Sequence, residues 1–141
     1  MASVSYKETE LWLRAKSLLI ETYRLTQGWP EDGKDLAKDI RTSVRQIVRS
    51  VPNAFKKGGI TGNVHLRMST GQFAELEALC EAAEALRFVE PTLLQPLLEL
   101  SVPIQAEFRD LAKAAQERAR DLMKKRTSLL GVGLDEDEVD F

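Results

Sequence analysis

KDLAKDIRTSVRQIVRSVPNAFKK, residues 34–57, carries two helical stripes at once. Leu36, Ile40, Val44, Ile47, Val48, Val51 and Phe55 recur at threes and fours. That spacing places side chains on one face of an α-helix. Lys34, Lys38, Arg41, Arg45, Arg49 and Lys56 form a second stripe, and at about 100° per residue the two sets point well apart. The pattern predicts an amphipathic helix from about Asp32 to Lys57, apolar on one side and cationic on the other. Pro52 lacks an amide donor and crowds the preceding turn, so a kink or break near Arg49 is expected.

The same periodicity runs through the rest of the chain, whereas strand-like alternation bounded by turn signals is hard to find. Leu11, Ala15, Leu18, Leu19, Thr22 and Leu25 predict a helix over about Tyr6 to Thr26, flanked by Trp12 and Tyr23. Gly28 and Pro30 end it. Leu66, Phe73, Leu76, Leu79, Cys80, Ala83 and Leu86 predict a third helix over about Asn63 to Phe88. Gly71 inside it costs about 1 kcal/mol relative to Ala, so a close backbone approach is expected there. A fourth segment runs from Pro91 to about Lys125, with Ile104, Phe108, Leu111, Ala115 and Leu122 on its stripe. Pro96 and Pro103 predict two pieces with a kink near Ser101. Four amphipathic helices with short connections imply an all-α, antiparallel up-down four-helix bundle over residues 1–127. Residues 128–141 read as a mobile acidic tail.

A chain of 141 residues favours one domain long enough to bury a shared core. The total charge is −2, which argues against a general polyanion coat. The distribution is uneven. Residues 34–57 hold seven cations and two anions, a local +5, so the remainder carries −7. Five of those negatives are Asp135, Glu136, Asp137, Glu138 and Asp140. One cysteine, Cys80, cannot form an intrachain disulfide, which fits a reducing compartment. No apolar run reaches the ~18 residues of a membrane span, and MASVSYKETE lacks a signal-peptide core. A cytoplasmic protein of bacterial or phage origin, without membrane contact, is the expectation.

Chemistry-bearing motifs are scarce. There is no phosphate-binding glycine loop, no zinc-type Cys/His set and no nucleophile elbow. His65 and Cys80 lie fifteen residues apart on one expected helix, about 22 Å along its axis, too far for a dyad. Cys80 reads as a small core residue and His65 as a surface or capping residue. Glu75, Glu77, Glu81 and Glu84 share the third helix, but without the Glu-x-x-His pairs of dimetal bundles they read as a solvated face. Neither catalysis nor a cofactor is expected.

Several motifs occur in a recognisable order. Trp12-x-x-Ala15, Tyr23, Leu25, Thr26 and Trp29-Pro30-Glu31 are followed by Arg45 to Ser50-Val51-Pro52, ending at Gly58, and by Gly71-x-x-x-Glu75-Leu76. This set, over residues 6–90, resembles the four-helix-bundle family of ribosomal-RNA intervening-sequence proteins. The family's patterns read W-x-x-A, then Y, L, T and F-P, then R-R-A-A-x-S-I-P-x-N-x-x-E-G, then G-S-x-x-E-L. Gln46 replaces the second arginine, Asn53 directly follows the proline, Lys57 replaces a glutamate, and Gln72 replaces a serine. The resemblance implies an up-down bundle and a ring-like homo-oligomer, a pentamer. A related branch, the accessory variability determinant proteins of diversity-generating retroelements, binds nucleic acid and a reverse transcriptase. The resemblance thus extends the expected partners to RNA or DNA and to a nucleic-acid enzyme such as a reverse transcriptase.

Two readings of the stripe stay open. Lys34, Lys38, Arg41, Arg45, Arg49, Lys56 and Lys57 can bind phosphates, with arginine suited to forked contacts. Alternatively they are a solvated face whose cations pair with acids on a neighbouring helix or subunit. The absence of exposed aromatics within the stripe weakens a base-stacking role. The alternative function is an interaction scaffold. Its acidic tail, Asp135, Glu136, Asp137, Glu138, Asp140 and the terminal Phe141, resembles the tips by which bacterial single-strand-binding proteins recruit partners. Such an end can fill a pocket while its acids meet a basic rim. The tail can also fold back on the stripe and compete with nucleic acid.

Overall fold

The computed structural model describes residues 5–54 and 60–130, and of residues 60–69 the backbone only. The regular structure of the described residues is all helical, without strands. A 3₁₀ turn, Tyr6–Glu8, leads into α1 (Glu10–Thr26), and a second, Glu31–Gly33, leads into α2 (Lys34–Ala54). The remaining helices are α3 (Ile60–Ala85) and α4 (Pro91–Leu129). Each α-helix packs on the next, and α1 packs on α4. No helix among the described residues is long and apolar enough to cross a membrane.

One core joins the four helices. α1 contributes Leu11, Ala15 and Leu18, α2 contributes Ile40, Val44, Ile47 and Val51, α3 contributes Phe73, Leu76 and Cys80, and α4 contributes Leu94, Leu97, Ile104 and Phe108. Phe73 and Phe108 meet edge to face, ring centroids 5.8 Å apart, the geometry that the ring quadrupoles prefer. The first helix is entered through a side-chain cap. Thr9 donates to the Tyr6 carbonyl and accepts from the Trp12 amide, occupying one of the helix's unpaired donors.

α3 ends in a motif that the sequence disguises. The Phe88 amide donates to the Ala83 carbonyl and the Arg87 amide to the Glu84 carbonyl, the paired bonds of a Schellman stop. Arg87 holds the left-handed φ of 62° that glycine ordinarily takes there. The stop turns Phe88 inward onto Trp29, with stacked centroids 6.0 Å apart, and against Gly33, where an added Cβ would lie 3.1 Å from the Phe88 ring. The junctions α1–α2 and α3–α4 are thereby pinned together.

Several expectations need correction. α4 is a single helix of 39 residues, not two pieces joined near Ser101. The carbonyls deprived of donors by Pro96 and Pro103 belong to Thr92 and Glu99, both exposed residues that water can serve. Likewise α2 runs unbroken past Arg49 and Pro52 to Ala54. Gly71 meets no close approach: a Cβ there would touch nothing within 4 Å. Leu86 and Leu122 are not core residues, at 60% and 67% exposure. Leu86 occupies the α3 stop, and beyond Phe108 α4 has no fully buried residue, only the partly buried Leu111 and Ala112 packed against the core. Phe55 and the side chain of Leu66 lie outside the described residues, as does the acidic tail from residue 131.

Two stability measurements test this packing. Ile47→Ala should cost about 2–5 kcal/mol in denaturant unfolding, as expected for a fully buried side chain, whereas Leu122→Ala should stay within about 0.5 kcal/mol. Arg87→Gly should stabilise by roughly 0.5–1 kcal/mol. It relieves about 1–2 kcal/mol of left-handed strain against about 0.5–1 kcal/mol of added unfolded-state entropy.

Candidate nucleic-acid interface

The rotation of α2 places the cationic stripe outward. Lys34, Lys38, Arg45 and Arg49 are exposed and Arg41 is half-buried. Lys56 and Lys57 lie outside the described residues, as do Asp135, Glu136, Asp137, Glu138, Asp140 and Phe141 of the tail. Along the α2 axis the five described cations succeed one another every 4.5–6 Å or so.

Two arginines are held in place by neutral oxygens. Arg41 Nε donates to Thr26 Oγ1 at 2.7 Å, and its guanidinium carbon stands 4.5 Å over the centre of the Tyr23 ring, a cation–π contact. Arg45 donates to the Tyr23 hydroxyl at 3.3 Å and to Thr42 Oγ1 at 3.0 Å. Each threonine is itself oriented by its own helix. Thr26 donates to the Thr22 carbonyl at 2.8 Å and Thr42 to the Lys38 carbonyl at 2.9 Å. With its proton so committed, a threonine hydroxyl has only lone pairs to offer an arginine.

Charge compensation is correspondingly thin. Among the described residues the ion pairs are Arg14–Glu10, Arg24–Glu21 and Lys34–Glu31, each local in sequence. None joins two α-helices, so among the described residues the stripe is not paired with acids of a neighbouring helix. Lys34 meets Glu31 at 2.6 Å, but both side chains are largely solvated, and such pairs contribute little. Lys38, Arg41, Arg45 and Arg49 have no carboxylate partner among the described residues.

The cations also border a concavity. An open cavity of about 460 Å³ lies between the end of α1, the turn at Gly28 and the first half of α2. Lys34, Lys38, Arg41 and Arg45 line it, with Tyr23 and Trp29 as its aromatic members. No acidic residue lines it among the described residues. Trp29 is buried, its indole N–H donating to the Leu25 carbonyl at 2.8 Å, so it forms a firm wall.

The sequence shows the cations but not their holders. In it Tyr23 flanks the core stripe of α1 and, with Thr26, belongs to the motif order of the resemblance, but neither is linked to the cations, and Thr42 carries no role. Tyr23 reaches the stripe from α1, with its ring covered by the Arg41 guanidinium. A partial signal exists: Tyr23 and Thr26 are three residues apart, one face of the last turn of α1, just before the Gly28 reversal. The other candidates stay outside this site. Glu75, Glu77, Glu81 and Glu84 are exposed on α3. Cys80 is buried, and burial pushes its thiol up to about 11, which makes it a poor nucleophile at neutral pH.

A double-mutant cycle on Arg41→Ala and Thr26→Val, read by denaturant unfolding, should yield a coupling of about 1 kcal/mol, typical of a charged hydrogen bond that remains partly solvated. Additivity within about 0.3 kcal/mol would show that Thr26 does not hold Arg41.

In comparisons with known proteins, no protein-family model and no curated protein matches this chain.

Proposed function

We propose that this chain is a non-catalytic, oligomeric four-helix protein that binds nucleic acid, or a nucleoprotein partner, through the cationic face of α2. The observation that carries this reading is the pair Arg41 and Arg45, oriented by Thr26, Thr42 and Tyr23 rather than by carboxylates. A hydroxyl fixes a guanidinium without cancelling its charge. A carboxylate would fix it and neutralise it. Phosphate oxygens are the natural acceptors for a guanidinium left charged and directed.

In this reading the helices run up and down, antiparallel. Short connections support that arrangement, because a helix joined to its neighbour by a few residues must return alongside it. The motif order shared with ribosomal-RNA intervening-sequence proteins supports a ring-like homo-oligomer, a pentamer, working in the cytoplasm. Repetition of the stripe around such a ring would multiply weak phosphate contacts by effective concentration. Contacts of this kind hold the backbone and carry no base sequence information.

The test is a binding assay titrated with salt, using single- and double-stranded probes. Five phosphate contacts predict a slope of roughly −3.5 to −4.5 in log K against log salt. Changing Arg41, Arg45 and Arg49 together to alanine should reduce that slope by roughly 2–3 and weaken every probe alike. Absence of binding at low salt, or indifference to the triple change, would remove this reading.

A further inference from the structure

Four of the five described stripe cations line the cavity, and Arg49 does not. The basic surface therefore has a concave end and an open continuation. Within the cavity the charge is concentrated. Lys38 and Arg45 stand about 4.5 and 6 Å along the axis on either side of Arg41, and none of the three has a carboxylate partner among the described residues. Arg41 commits only Nε to the protein, so both of its terminal nitrogens remain for a ligand, and the Tyr23 ring keeps the guanidinium plane in position.

A phosphodiester inside a strand carries one negative charge and offers two non-bridging oxygens. A phosphomonoester carries about −1.5 to −2 near neutral pH and three acceptor oxygens. Three clustered cations, one of them a forked arginine, match the second better than the first. The shape agrees. A strand end can be seated in the cavity while the following phosphates lie along Arg49.

We propose that the Tyr23–Arg41 cavity seats the terminal phosphate of a nucleic-acid strand, so that the protein recognises phosphorylated ends. This rests on the reading of α2 as a nucleic-acid surface and adds to it a preference for one kind of substrate. Lys38, Arg41 and Arg45 contact the monoester, while Arg49 contacts the phosphates behind it.

The experiment compares one short single-stranded oligonucleotide in three forms, with a 5′-phosphate, with a 3′-phosphate and with hydroxyls at both ends, by fluorescence anisotropy on the full chain. At least one phosphorylated form should bind about tenfold more tightly than the hydroxyl form, the effect of roughly one added charged contact. Lys38→Ala and Arg41→Ala should abolish that ratio. Lys38 is exposed, so its variant keeps the test sound even if Arg41→Ala unfolds. Arg49→Ala should weaken all three forms equally and leave the ratio intact. Equal binding of the three forms, with a steep salt slope, would overturn end recognition while sparing the broader reading. No binding of any form at low salt would overturn both. A phosphoserine peptide that binds as tightly as the phosphorylated strand would show that the cavity takes its monoester from protein and overturn the assignment to nucleic-acid ends.

Discussion

Ile40, Val44, Ile47 and Val51 are fully buried, and together they set the rotation of α2 about its axis. The packed interior leaves little slack for an alternative. Rotation by a single residue, about 100°, would turn Arg41 or Arg45 toward that interior, where an unpaired charge costs several kcal/mol. The apolar face of α2 therefore determines where its cations stand. Position along the axis has a separate origin. Trp29 stacks on Phe88 while Gly33 lies close beneath the same ring, so the start of α2 is clamped to the end of α3. Rotation and translation together bring Arg41 opposite Tyr23 and Thr26 of α1.

The outcome is a surface on which Arg41 and Arg45 are ordered but not neutralised. Exposed arginines usually sample many rotamers, and a ligand must then meet the entropy of fixing them, about 0.5–1.5 kcal/mol for each side chain. Here the protein has met part of that cost. Thr26 and Thr42 use the same device on adjacent helices: a hydroxyl turned by the carbonyl four residues back presents its lone pairs sideways to an arginine. Tyr23 links the two, offering its ring to Arg41 and its oxygen to Arg45. The result separates this face from the Arg14–Glu10 and Arg24–Glu21 pairs of α1, where local carboxylates take up the charge.

Residues that act within one helix were legible in the sequence. The stripes of α1 and α2 could be read directly, because a periodicity of 3.6 sorts core from surface without knowledge of any partner. Contacts between helices were not legible. Arg41 and Thr26 are fifteen residues apart and Arg45 and Tyr23 twenty-two, and no local rule pairs them. The departures also have physical sources. A proline's lost bond is visible in sequence, yet the outcome in α4 depends on which carbonyls lose a donor, and those of Thr92 and Glu99 belong to exposed residues. A glycine inside a helix suggests crowding, but the face that Gly71 occupies is open. The α3 stop was hidden because Arg87, not glycine, takes the left-handed position.

A polyanion surface on a chain of net charge −2 is not a contradiction once range is considered. At physiological ionic strength the field of a surface charge decays over about 8 Å. A phosphate in the cavity would lie within that distance of Lys38, Arg41 and Arg45, and among the described residues no acidic side chain lines the cavity. The net charge therefore governs slow approach from a distance, and the local cations govern the contact itself. Arg49 extends the same local field one turn past the cavity. A strand held there feels a row of positive charge in a protein that, viewed from several Debye lengths away, is slightly acidic.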